Sequence, residues 1–515
     1  MTVLEIIKKE LFGRKGIKVF RDRPFTMLEI FEKSVTKYKD KEVLIKGNES
    51  LTYGEFFLKV NNLAAVLQGE YGIRKGDRIA TIIGNSMEFP IILFASLKIG
   101  AIMVPVNVRL SKGEITYVLQ DSSPSLIMMD QVFRENIDVS KVDESILVDM
   151  EQNNLYQFDY SIKLKEADID EEDAALIMYT SGTTGRPKGA ILSHVNIIHN
   201  LMVYQDVCKT NATMKTIIAI PIFHVSGLIG QFLHVFYVGG TSIILEHYKN
   251  DDYIEEIIKH KANSLSNVPS IFMMMQSSPK FKKYSFDFVT MVGYGGAPIY
   301  KETIETLRKA FPNATFQNVY GATETASPTT LMPREYPVEK ANSIGIPSVV
   351  TDIKIINEKN EECEVDEEGE ILIKGPMVIK GYWNKPEENE NSFLDGYWKS
   401  GDIVKKDKDG YFYILDRKKN MINRAGEKIY SIEVEDVLKN HPEVEDTAVI
   451  GVPHPVYGEQ VKCFIVSKTL NEKRTEEIRD YCGNHIARYK VPAIYEFVED
   501  LPRNASGKVL KHILK

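Results

Sequence analysis

Cysteine is scarce: the chain has four in 515 residues, Cys208, Cys363, Cys463 and Cys482, at separations that fit neither a metal site nor a redox pair. A disulfide scaffold is thereby excluded, and a reducing cytoplasm is the simplest setting. Basic charge is not in excess either. A formal net charge of -8 argues against nucleic acid as the main partner, because binding phosphate backbones favours a basic surface. Long hydrophobic runs are missing; stretches such as Phe89 to Leu97 fall short of a bilayer span, so no transmembrane helix is expected. Peripheral association with lipid is left open by this. The N-terminus sets Lys8, Lys9, Glu10, Arg14 and Lys15 beside a short apolar stretch, with no apolar core followed by a cleavage site, so no signal peptide is indicated. Internal repeats and low-complexity segments are also lacking.

What is present is a soluble globular composition long enough for roughly two to four domains. From Arg78 apolar strands alternate with helices. Strands are expected at Ile79 to Gly84, Ala101 to Val106 and Ser125 to Met129, and helices at Met87 to Ile99 and Lys112 to Gln120. The alternation resumes with strands at Thr216 to Ile220, Thr241 to Leu245 and Phe288 to Gly293, and helices at Tyr253 to His260 and Lys301 to Ala310. Such βαβ units predict an α/β fold with largely parallel sheets. Between Val349 and Leu415 short alternating strands and Gly/Asp turns predict antiparallel β structure, with the acidic stretch Glu358 to Glu370 at a solvated turn. At Asp416-Arg417-Lys418-Lys419 the apolar pattern stops, and the last hundred or so residues read as a small α/β domain.

One segment dominates the chemistry: Thr180-Ser181-Gly182-Thr183-Thr184-Gly185-Arg186-Pro187-Lys188-Gly189. Glycines let backbone N–H groups turn inward, hydroxyls add donors and two cations add charge, so the loop suits a polyphosphate. An apolar run from Ala174 to Met178 leads in like a buried strand, and Ser193 to Ile198 leads out like a capped helix. The spacing is not that of the Walker loop. Further along, Gly293-Tyr294-Gly295-Gly296-Ala297-Pro298 ends a strand in small residues against which a flat base can lie. Tyr320-Gly321-Ala322-Thr323-Glu324-Thr325 sets a carboxylate and hydroxyls just past another strand. Mg²⁺ takes only one or two protein carboxylates while it bridges phosphates, so Glu324 is the candidate metal ligand and Thr323 the candidate α-phosphate donor. Asp402, after the turn Ser400-Gly401, can accept two hydrogen bonds from a ribose diol.

These segments, in this order from about Leu51 to Lys515, resemble the adenylate-forming superfamily, which contains acyl-CoA synthetases, adenylation domains of peptide synthetases and beetle luciferases. The resemblance implies a large N-terminal domain (1–415), a hinge (416–419) centred on Lys419, and a small mobile C-terminal lid (420–515). It assigns adenine contacts to Gly295, Gly296, Ala297 and Pro298, with Tyr320 and Gly321 nearby, and gives Arg417 a ribose or phosphate role. In Pro221-Ile222-Phe223-His224-Val225-Ser226-Gly227, which opens an expected helix from His224 to Phe236, His224 matches the histidine beside the carboxylate being activated. Amino-acid-activating relatives usually show Phe-Asp there, so Phe223-His224 favours a substrate without an amino group. Gly426, in Asn423-Arg424-Ala425-Gly426-Glu427-Lys428-Ile429, matches the position along the pantetheine channel. Lys508, in Pro502-Arg503-Asn504-Ala505-Ser506-Gly507-Lys508, matches the lysine that neutralises charge as the acyl-adenylate forms.

The activity so implied is ATP-dependent ligation of a carboxylic acid to coenzyme A with Mg²⁺. The apolar, Met-rich segments His224 to Phe236 and Val268 to Met275 are the expected walls of the acid pocket. They rank a medium- or long-chain fatty acid first and an aryl acid second. Carnitine or crotonobetaine comes third, on the likeness of Lys98 to Pro105 and Leu501 to Asn504 to that branch. A ligase that loads a carrier protein is the alternative from another class. The chain ends soon after Lys508, which leaves no room for a carrier domain of its own, and a homodimer is allowed for.

Overall fold

In the computed structural model of the chain, residues 4–143, 146–149, 164–165, 167–180, 186–297, 299, 301–503 and 509–514 are described. The chain divides into two compact units, 1–352 with 373–398, and 353–372 with 399–515.

The first unit carries the two α/β sheets. One has six strands in the order Lys188–Ser193, Ala174–Thr180, Ile102–Pro105, Arg78–Ile82, Leu126–Met129, Leu147–Asp149. All its pairs are parallel except the first, which is an antiparallel hairpin. The other has nine strands, with a parallel centre running Thr315–Tyr320, Met291–Gly295, Ser264–Asn267, Lys215–Ile218, Thr241–Ile244, Glu42–Lys46 and antiparallel strands at both edges. Helices cover both faces of parallel sheets, so their strands are apolar throughout rather than alternating. Ile79 to Ile82 are accordingly all buried. Helix starts follow their caps: Ser111 with Glu114 and Ser193 with Asn196 each form a reciprocal capping box.

Most expected elements stand within two or three residues of their places, and three departures matter. The segment after the phosphate loop first forms the strand Lys188–Ser193 and only then the helix His194–Cys208. The helix expected from His224 is a π-helix over Ser226–Leu233 that continues as an α-helix over His234–Val238. An unexpected hairpin, Ile6–Leu11 with Arg14–Phe20, precedes the first α/β unit. It is followed by Arg23, whose buried guanidinium makes bonds of 2.7–2.9 Å to the buried Glu171. Lys9 reaches the same carboxylate.

A five-stranded sheet includes Gly369–Lys374, Tyr397–Lys406 and Phe412–Arg417, of which the last two pair antiparallel. Most of the acidic stretch lies at the surface between Asp352–Ile356 and Gly369–Lys374, as the sequence predicts, while Glu370 is buried within the second of these strands. A second sheet, built on Asp446–His454 and Gly458–Val466, packs against the helices Ser431–Lys439 and Thr475–His485. Among the described residues no helix is long and apolar enough to cross a membrane.

Burial keeps three histidines of the first unit neutral. His194 and His199 each accept a backbone N–H, from Met27 (3.1 Å) and Phe20 (3.3 Å), and His234 bonds Thr210 Oγ1 at 2.8 Å. Burial depresses their pKa values to about 4, about 3 and about 4 respectively. Unfolding releases them to titrate near 6.5, so below that pH the unfolded chain binds more protons and each histidine removes up to about 1.4 kcal/mol of stability per pH unit. The thermal midpoint is expected to fall steeply from pH 6.5 to pH 4, and less steeply in His199→Gln. A midpoint unchanged over that range would contradict it.

Candidate active site

The hairpin that carries the expected phosphate loop is set by register. Lys188 pairs with Thr180 and Gly189 with Tyr179, so the two ends of the loop leave the sheet side by side. Gly189 is required by close approach, since a Cβ there would lie 2.7 Å from Ile177 Cγ2. Tyr179 is pinned by its hydroxyl on Asp121 Oδ2 (2.7 Å), and Lys385 holds the other oxygen of that carboxylate (2.6 Å). Ser181, Gly182, Thr183, Thr184 and Gly185 lie outside the described residues, as do Pro298 and Lys508.

Lys188 is buried. Its ammonium pairs with Glu388 and lies 5.6 Å from the centre of the Tyr382 ring, so this cation of the loop is already matched inside the protein. Arg186 is exposed, over the ring of Tyr117 at 5.6 Å.

Glu324 is treated differently. It sits in a 3₁₀ turn, Thr323–Thr325, just past the strand Thr315–Tyr320, and Thr323 beside it is half-buried. Its Oε1 accepts from Thr180 Oγ1 (3.3 Å) and from the Tyr382 hydroxyl (3.0 Å). Among the described residues both donors are neutral, so neither cancels the charge of the carboxylate. Behind it the backbone is strained: Ala326 and Ser327 hold φ of 49° and 45°, a left-handed region that costs non-glycine residues roughly 1 kcal/mol or more each. Buried bonds over-determine that turn, from Tyr204 to Ser327 (3.0 Å) and from Asn200 to the Thr325 carbonyl (2.7 Å). Gly321 faces the same turn, with Ser327 Cα 3.1 Å from where its Cβ would be.

Gly295, Gly296 and Ala297 form an accessible strand end, as a flat base requires. A Cβ on Gly295 would lie 2.2 Å from the Val319 carbonyl, so only glycine fits there, and Gly296 has φ 78°, a conformation that favours glycine. Tyr320, one residue beyond Val319, is buried. His224 is half-buried, its ring 4.9 Å from that of Phe223, at the start of the π-helix. That helix exposes Ser226 and partly exposes Gly230. The Met-rich segment splits: Met275 is in the core beside Phe272, whereas Met273 and Met274 are on the surface.

In the second unit Asp402 and Arg417 are cross-strand partners joined by a 2.6 Å ion pair. Gly426 (φ 92°) and Ala425 (φ 53°) make the two-residue turn of a hairpin, with Asn423 Oδ1 accepting from the Gly426 N–H at 2.9 Å. Within the stretch 416–419, Asp416 is fully buried and caps the helix Ser431–Lys439 by accepting from the Ser431 N–H (2.5 Å) and hydroxyl (2.7 Å). It therefore serves structure, a role its sequence position does not reveal.

One charged carboxylate with neutral hydroxyl donors beside a phosphate-type loop fits Mg²⁺, a hard cation that keeps most of its oxygen ligands for phosphate and water. The glycine-lined strand end fits a purine. The sequence profile of the AMP-binding enzyme family matches residues 31–383, and that of the AMP-binding enzyme C-terminal domain matches 433–508. The chain belongs to the AMP-binding enzyme family. Relatives of this AMP-binding enzyme include a feruloyl-CoA synthase of Amycolatopsis, 33% identical over 90% of this chain and 93% of that one. Another is a long-chain-fatty-acid–CoA ligase of Haemophilus influenzae, 30% identical over 97% and 96%. Among solved structures, the o-succinylbenzoate CoA synthetase of Bacillus subtilis bound to its acyl-adenylate intermediate superposes with a TM-score of 0.86 at 29% identity, over 94% of this chain and 97% of that one.

Sequence reading of the AMP-binding enzyme misses Tyr382 and Glu388, which lie 58 and 200 residues from Glu324 and Lys188, the groups they touch, and Trp398, which lies 16 residues from Tyr382. The Lys188–Glu388 pair carries a prediction. In a cycle of Lys188→Met, Glu388→Gln and the double variant, unfolding free energies should show a coupling of about 1–3 kcal/mol, as a partly buried pair gives. Additive effects would mean that the lysine's charge is used elsewhere.

Proposed function

We propose that this enzyme activates a medium- or long-chain fatty acid as its acyl-adenylate and passes the acyl group to coenzyme A, using Glu324, Thr323, His224, Asp402, Gly426 and Lys508 in the roles their positions suggest. The reaction class is that of a carboxylate–CoA ligase, an AMP-forming acid–thiol ligase that uses ATP, Mg²⁺ and coenzyme A. The observation that carries the reading is the charged carboxylate of Glu324 beside the strand that feeds the phosphate loop.

Resonance makes a carboxylate a poor electrophile, so its oxygen first attacks the α-phosphorus of ATP. The bond from that phosphorus to the bridging oxygen breaks, and pyrophosphate leaves. The coenzyme A thiol then attacks the acyl carbonyl, loses its proton, and expels AMP. Catalysis of the first step is positioning plus charge stabilisation. Glu324 would hold Mg²⁺, which would supply positive charge to the phosphate oxygens. Thr323 donates to the α-phosphate, the strand end Gly295–Ala297 with Tyr320 seats adenine, and Asp402, with Arg417 beside it, takes the ribose hydroxyls. Lys508 neutralises charge as the adenylate forms. Rotation of the C-terminal lid (420–515) about residues 416–419 then withdraws it and brings Gly426 to the pantetheine arm.

The apolar faces of the π-helix suit an acyl chain. An aryl acid is the second reading, favoured by the small, accessible Ser226 and Gly230 and by the relative named feruloyl-CoA synthase. Pyrophosphate release measured across fatty, aryl and betaine acids, with and without coenzyme A, should rise most with a fatty acid. A strongest response to aryl or betaine acids would replace that assignment, and turnover with a carrier protein but none with coenzyme A would overturn the thiol acceptor. Lys508→Ala is expected to abolish adenylation while sparing thioester formation from a supplied acyl-adenylate; equal loss of both half-reactions would refute the division of labour.

A further inference from the structure

We infer that Tyr382 is a positioning residue for the metal carboxylate: its hydroxyl aims Glu324 at the cation and ties that carboxylate to the phosphate-loop hairpin. The inference rests on Glu324 holding Mg²⁺, and it concerns a residue that touches neither substrate nor metal.

Proton directions follow from the partners. Trp398 Nε1 is donor-only and lies 3.4 Å from the Tyr382 hydroxyl oxygen, which must accept there. The hydroxyl's own hydrogen therefore points at Glu324 Oε1, 3.0 Å away. Thr180 Oγ1 reaches the same oxygen at 3.3 Å, so among the described residues both bonds to this carboxylate go to Oε1 and Oε2 is the atom presented to a cation. A lysine or arginine in place of the phenol would also orient Glu324, but it would cancel the charge the cation needs. A neutral donor orients without cancelling.

The backbone keeps Tyr382 in register with the loop. Tyr382 bridges Ala190 in antiparallel fashion, the Trp383 N–H donates to the Gly189 carbonyl (2.8 Å), and the Ile379 N–H donates to the Glu324 carbonyl (3.0 Å). Lys188, held by Glu388, lies over the Tyr382 ring in a cation–π contact at 5.6 Å. Phosphate loop and metal carboxylate are thereby linked through one buried side chain.

The test is calorimetric and needs no turnover. Binding of α,β-methylene-ATP, which cannot release pyrophosphate, is measured with excess Mg²⁺ and again in EDTA; the ratio of the two affinities is the metal-dependent gain. Tyr382→Phe should cut that gain about tenfold, the lower end of what loss of a ligand's hydrogen-bond partner costs. Affinity in EDTA and the thermal midpoint should stay near wild type. Tyr382→Phe with Trp398→Phe removes the orphaned indole donor as well, and should give the same loss if Tyr382→Phe alone folds poorly. Glu324→Gln separates the two ideas. If Glu324→Gln keeps the gain, Glu324 is not the metal ligand and both readings fall. If Glu324→Gln loses the gain while both tyrosine variants keep it, only the positioning role falls. Equal weakening with and without metal would make Tyr382 merely structural and would also overturn it.

Discussion

The pairing of Lys188 with Thr180 is the constraint on which the site depends. An antiparallel hairpin at the edge of a parallel sheet brings both ends of a glycine- and threonine-rich loop to one place, and the neighbouring groups take their positions from it. Thr180 bonds Glu324; Lys188 meets Glu388 and Tyr382; Gly189 receives Trp383. A shift of one residue would turn every side chain of the strand to the other face and break all of these at once. Packing forbids the shift, because Gly189 lies too close to Ile177 for any larger residue at its position.

Charge is apportioned with the same economy. Lys188 and Arg23 are buried cations, and each is met by a carboxylate, Glu388 or Glu171, since an unpaired buried charge would cost several kcal/mol. Among the described residues Glu324 receives only hydroxyl groups at its carboxylate. Neither hydroxyl cancels its charge. The left-handed turn at Ala326 and Ser327 places it, and the bonds of Tyr204 and Asn200 hold that strained turn. Stability is given up there for position.

The sheets were legible in the sequence because parallel strands buried on both faces read as short apolar runs, and the helices between them carried caps. The strand Lys188–Ser193 was not: its six residues run straight into the Ser193 cap, whose helix signal is the stronger. Apolar periodicity could place a helix at Ser226–Leu233 but could not tell π from α winding, since both bury Leu228, Ile229 and Phe232. The N-terminal hairpin hid behind its charges; Lys9, Lys18 and Arg23 face partners at Glu171 and Asp352 that no local pattern reveals. Of the site, the loop, the glycine strand end and Glu324 could be read from local composition. Tyr382, Trp398 and Glu388 could not, because their role comes from tertiary contact.

If a carboxylate is activated by attack on the α-phosphorus, one of its oxygens must leave in AMP. Turnover with an acid labelled with ¹⁸O in its carboxylate, read by mass spectrometry of the nucleotide and phosphate products, tests this most directly. The account predicts one labelled oxygen in AMP per turnover and none in pyrophosphate. Label in pyrophosphate or orthophosphate, or AMP formed without label, would contradict it.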